Sequence, residues 1–245
     1  MNTTPVTRAL LLSGALLNNP THLLAHEHLN TGATGQHQGD QLIFANGEEF
    51  SAASGTVIQM TPAADGSYGG QYAAEITFTV LAATSDFGGP VPGAPALGSY
   101  IQARIESVQG PAGGTFSFWN EGETIPGISM PSGTTIPSAL WALSDEEDHI
   151  AAGLPPAGTP GADPWGHVHG TQFTADVPGD YTVGFRLFDT SNNGLNGGPI
   201  HTPSELFSIH FSAVPEPGML SLAGLGMAVG LGIVRRRSNF PATRS

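Results

Sequence analysis

The chain has 245 residues, with no cysteine, no lysine, seven arginines, twenty carboxylates, 34 glycines and 20 prolines. The lack of thiols excludes disulfides, thiolate metal sites and cysteine nucleophiles. Between residues 26 and 217 only Arg104 and Arg186 oppose all twenty carboxylates, a net charge of −18 with histidine neutral. Such a surface repels nucleic acid and anionic lipid.

Taken in order, the chain opens with Arg8 and an apolar run at residues 9–17. These read as the n- and h-regions of a secretory signal, residues 1–25, with a cut after Ala25 that leaves His26 first. Residues 26–213 then suffice for one sizeable core, and no internal repeat divides them. Glycine and proline punctuate the chain every few residues, and period-two alternation dominates. Ile76, Phe78 and Val80 share one face, as do Ile101, Ala103 and Ile105. So do Tyr181, Val183, Phe185 and Leu187, and again Phe207, Ile209 and Phe211. Each set predicts a strand with one buried face. Shorter candidates lie at residues 42–45, 56–61, 115–119 and 168–174.

Eight or so such strands predict an all-β fold, an antiparallel β-sandwich of jelly-roll or immunoglobulin-like layout. Residues 86–97 and 154–164 are Pro/Gly loops whose length marks them as functional or mobile. Residues 137–152 are the best helical candidate, with Leu140, Leu143 and Ile150 facing inward. Residues 178–181 (Pro-Gly-Asp-Tyr) turn the chain into the strand that follows.

Nine histidines are the unusual feature. Two His-x-His pairs occur, His26 with His28 and His167 with His169. On a strand, residues two apart point to the same face, so each pair can offer two imidazoles to one ion. Zinc and copper favour imidazole, and without thiols only histidine and carboxylate remain as strong donors. His37, His149, His201 and His210 are further candidates, and His201 joins the expected metal set. Any one of these is as readily a polar surface residue. A calcium-like start at residues 189–194 lacks the closing bidentate glutamate, since position twelve is Ile200. No nucleophile elbow, phosphate-cradling loop or glycosidase pattern appears, so we expect no enzyme.

The tail, residues 214–237, has three parts: Pro215-Glu216-Pro217, an uncharged run at residues 218–234, and Arg235, Arg236 and Arg237. Seventeen uncharged residues stand at the lower limit for a transmembrane helix. Arginines at one end mark the cytoplasmic side, which puts residues 238–245 in the cytoplasm and the rest outside the inner membrane. This tail resembles the PEP-CTERM sorting signal of Gram-negative bacteria. The resemblance implies transient insertion in the inner membrane, recognition by an exosortase, removal of the helix, and deposition at the surface or in the extracellular matrix.

The segments at residues 110–123, 163–191 and 198–211 are also similar to a PEP-CTERM group repressed by the zinc-uptake regulator. The Gly-His-Val-His-Gly stretch at 166–170 is similar to a repeat of actinobacterial surface-anchored proteins. The first likeness implies a surface protein made when zinc is scarce, and it carries over to His167 and His169 and more loosely to His26, His28 and His201. Zinc sequestration or storage is the reading we expect. Two others stay open. One is a structural or adhesive matrix protein without metal, with an extracellular polysaccharide as partner. The other is a copper-binding protein or oxidative polysaccharide-active enzyme, since a free His26 amine resembles the start of a histidine brace.

Overall fold

A computed structural model describes residues 28–168 and 170–215. The first half builds β1 (His28–Ala33), β2 (Leu42–Phe44), β3 (Val57–Pro62), β4 (Tyr72–Glu75), β5 (Thr77–Val80), β6 (Ile101–Gln109) and β7 (Thr115–Trp119). After these come β8 (Ile128–Pro131), β9 (Trp141–Ala142), helix α1 (Glu146–Ala151), β10 (Gly166–Val168), β11 (Gln172–Ala175), β12 (Gly179–Asp189) and β13 (Phe207–Ala213). The alternating positions behave as strand periodicity requires. Tyr181, Val183, Phe185 and Leu187 on β12 have no exposed surface, and neither do Ile101, Ala103 and Ile105 on β6. Opposite Gly184 and Phe185 the β6 register skips Glu106. This β-bulge turns Val108 back into the core after Ile105.

The fold is mostly β, with two sheets in a sandwich-like arrangement. One has the order β10-β5-β1-β2, the other β8-β7-β11-β4-β3-β13-β12-β6-β9. Strand β3 is the corner of the larger sheet. Its first residues pair with β13, and Thr61 and Pro62 pair with β4. The two limbs on either side of this corner face each other through aromatic rings. Phe116 meets Phe211 at 4.9 Å, Phe118 meets Trp141 at 4.6 Å and Phe173 meets Phe185 at 5.8 Å. Phe78 of the smaller sheet reaches Phe173, Phe185 and Trp141, tying both sheets to one core. Burying such side chains contributes about 1.5–3 kcal/mol each.

Three expectations need correction. The sandwich is not wholly antiparallel: β1 with β5, and β3 with β13, run parallel. The helix expected at 137–152 is confined to α1. Residues before it form β9, Leu140 and Ile150 are exposed, and only Leu143 is buried. The helix starts where the Asp145 carboxylate caps the amides of Glu147 and Asp148. The single strand expected at 168–174 is two strands, separated at Gly170, whose φ of +63° is readily adopted only by glycine. β10 joins the small sheet and β11 the large one.

Both Pro/Gly loops lack regular strands and α-helix, and buried carboxylates clamp the segments that flank them. Asp163 accepts from the amides of Ala83, Thr84 and Trp165. Asp189, at the end of β12, accepts from those of Tyr100, Ser191, Ile200 and His201. The calcium-like start at 189–194 is therefore a backbone clamp whose leading carboxylate is already engaged.

Candidate metal centre

Strand β5 lies between β1 and β10, and its register places the two histidines. His28 is opposite Thr77 and His167 is opposite Thr79. Directly paired residues share a face, and Thr77 and Thr79 are two apart on one strand, so all four side chains emerge on the same side. Leu29 and Phe78 point the other way, fully buried. The two imidazoles meet with ring centroids 4.7 Å apart and planes tilted by 39°. Residues far apart in the sequence are thus brought together by the parallel β1–β5 and antiparallel β10–β5 pairings.

His28 Nδ1 lies 3.0 Å from Thr79 Oγ1. With Nδ1–H donating to that hydroxyl, Nε2 keeps its lone pair, the arrangement that orients a ligating histidine. Two imidazoles sharing a tetrahedral zinc, with each nitrogen about 2.0–2.1 Å from the ion, have ring centres about 5 Å apart. The observed spacing fits that requirement, and the donor type suits a borderline ion. Among the described residues no group of three or more histidines and carboxylates converges on one point. The described residues thus bring together two imidazoles and no third donor.

His26 and His169, the other members of the two His-x-His pairs, lie outside the described residues. His201 takes a different part from the one expected of it. It is buried, its Nε2 accepts from the Ala96 amide at 2.8 Å, and Nδ1 faces the Asp40 carbonyl at 3.0 Å. Backbone groups thus engage both nitrogens, so the ring acts as a core cross-link. His149 is likewise buried, its nitrogens directed at the carbonyls of Pro155 and Trp165. His37 is exposed beside Asp40, and His210 lies on the outer face of β13 near Asp180.

His167 also lines a cavity of about 560 Å³ together with Tyr100, Asn120, Glu121 and the run Asp145 to Asp148. Tyr100 is pushed up to about 12 by burial first, then by the charge and hydrogen bond of Glu146. Glu121 packs against the turn after β10, where a Cβ on Gly170 would come within 2.8 Å of its side chain. Tyr100 and Asn120 carried no sequence signal, because neither belongs to a spacing pattern. They reach the cavity through the ends of β6 and β7.

The last described strand ends at Ala213. A family model of the PEP-CTERM protein-sorting motif matches residues 213–237. The chain carries a PEP-CTERM sorting signal. The signal begins where the folded sandwich stops, and it includes Pro215, Glu216, Pro217, Arg235, Arg236 and Arg237. The PEP-CTERM chain is accordingly an exported, membrane-anchored precursor that is processed by an exosortase and sorted to the cell surface. The expected signal peptide at residues 1–25 and the expected transmembrane run lie outside the described residues. Among the described residues no helix is long and apolar enough to cross a membrane. No curated protein and no solved structure matches the chain significantly.

Proposed function

We propose that this surface-sorted protein sequesters or stores a divalent transition ion, zinc foremost, through His28 and His167. The observation that carries the reading is the ring-to-ring approach at 4.7 Å over β5. The lack of thiols makes imidazole the strongest donor available, and a net charge of −18 over residues 26–217 raises the local concentration of cations. His26 and His169 are the further donors this reading assigns. Zinc supplies no redox chemistry and is held rather than turned over. Thr79 orients His28, and the buried faces of β1, β5 and β10 fix the spacing of the two rings.

Isothermal titration of the full chain with zinc and with copper tests the proposal. We expect sub-micromolar zinc binding that is lost in the His28→Ala plus His167→Ala double variant and retained in His201→Gln. Zinc at one hundred times its Kd should then add about 2.7 kcal/mol of stability. Binding of neither ion, or zinc affinity unchanged in the double variant, overturns the proposal.

A further inference from the structure

We infer that the PEP-CTERM chain has a second site, a shallow pocket that takes a neutral saccharide, bounded by the loops at residues 156–159 and 190–193 and by Tyr100. The pocket encloses about 430 Å³, within the range of small-ligand sites. Its functional lining is Tyr100, Glu146, Thr159, Thr190, Ser191 and Asn192. Tyr100 and Glu146 also line the cavity that His167 faces. The two cavities therefore share one wall, formed by Tyr100 and Glu146.

The chemistry of this lining selects its ligand. No positive side chain lines it, so an anion has nothing to pair with. A single carboxylate without imidazole is too few donors for a metal ion. Hydroxyls and an amide, each able to donate and accept, match a ligand whose groups do the same, which is a polyhydroxy compound.

Two further observations point to a built pocket. Ser191 is buried, and its Oγ has no hydrogen-bond partner, an arrangement that is costly unless something complements it. The walls are also fixed in advance. Asn193 donates to the carbonyls of Gly98 and Gly158, and Asp189 holds the amides of Tyr100 and Ser191. Preorganisation of this kind lowers the cost of binding. A protein displayed at the cell surface meets polysaccharide directly.

The test is calorimetric titration of the full chain, in a detergent without sugar headgroups and in EDTA so that no ion contributes. The probes are maltohexaose, cellohexaose and chitohexaose, with oligogalacturonate and spermidine as charged controls. We expect millimolar or tighter binding of at least one neutral hexasaccharide, abolished by Asn192→Trp, which fills the exposed rim. Ser191→Ala should weaken binding about three- to tenfold, the loss of one hydrogen bond, without lowering Tm. No binding of any neutral probe overturns the inference. So does binding that survives Asn192→Trp, or binding of a charged control alone.

Discussion

Replacing Asp189 by asparagine tests how the chain end of β12 is held, and its cost can be worked from four hydrogen bonds. Oδ1 accepts from Tyr100 N at 3.0 Å and Ser191 N at 2.9 Å. Oδ2 accepts from Ile200 N at 2.8 Å and His201 N at 3.1 Å. Asparagine keeps one acceptor oxygen and turns an NH₂ group toward the other two amides. Two bonds to a charged acceptor are lost, at about 1.5–3 kcal/mol each, so the expected destabilisation is about 3–6 kcal/mol. That is a large share of the roughly 5–15 kcal/mol available to a folded domain. Equilibrium urea unfolding followed by tryptophan fluorescence measures it, with Trp119 and Trp141 as buried reporters. The midpoint should fall while the m-value stays constant. A loss below about 1 kcal/mol would refute the reasoning, because two buried amides cannot lose their acceptor so cheaply. Since amides already occupy both oxygens, millimolar calcium should leave the wild-type Tm unchanged.

Three further outcomes follow from the same contacts. A Cβ on Gly166 would lie 1.9 Å from the Leu143 carbonyl oxygen and 2.6 Å from the Asp145 nitrogen; Gly166→Ala should therefore cost about 1–3 kcal/mol, as overpacking does, and shift His167, read by thermal melting together with zinc titration. Phe173 is fully buried and touches Phe78, Phe116, Phe118, Phe185 and Phe211, so Phe173→Ala should cost about 3–5 kcal/mol in urea unfolding. Tyr100 is raised from 10.0 to about 12: its contribution to stability is full below pH 10 and is lost as pH climbs through about 12, because the unfolded chain ionises first. Tyrosinate absorbance should lose one late-titrating phenol in Tyr100→Phe, while Tyr181, raised by its own burial and then by Asp176, still titrates late.

Most of the large sheet was legible in the sequence, because its strands bury one face and alternation records that directly. The matches at β6, β12 and β13 are of this kind. Strand β9 was hidden inside a helix-like run: Trp141 and Leu143 are two apart, which suits a strand, yet the acidic residues after them suit a helix start. The break between β10 and β11 was hidden for a different reason. Alternation continues on both sides of Gly170 while the partner strands change, and pairing partners leave no trace in local composition. Two buried carboxylates, Asp163 and Asp189, were illegible as clamps because their amide donors come from segments distant in sequence.

The histidines show how far spacing alone can carry a site. The His-x-His pattern treats each pair as a unit, with partners two residues apart on one strand. What the described residues bring together is instead one member from each pair, His28 and His167, one on either side of β5. The meeting depends on register, with His28 opposite Thr77 and His167 opposite Thr79, two residues apart on β5. Leu29 and Phe78, paired and facing the core, hold the histidines on the opposite face. His201, which looks equivalent as a lone histidine, is taken out of the donor set by the Ala96 amide and the Asp40 carbonyl. Which histidines share a face in this fold is therefore decided by strand register across β5 rather than by their spacing along the chain.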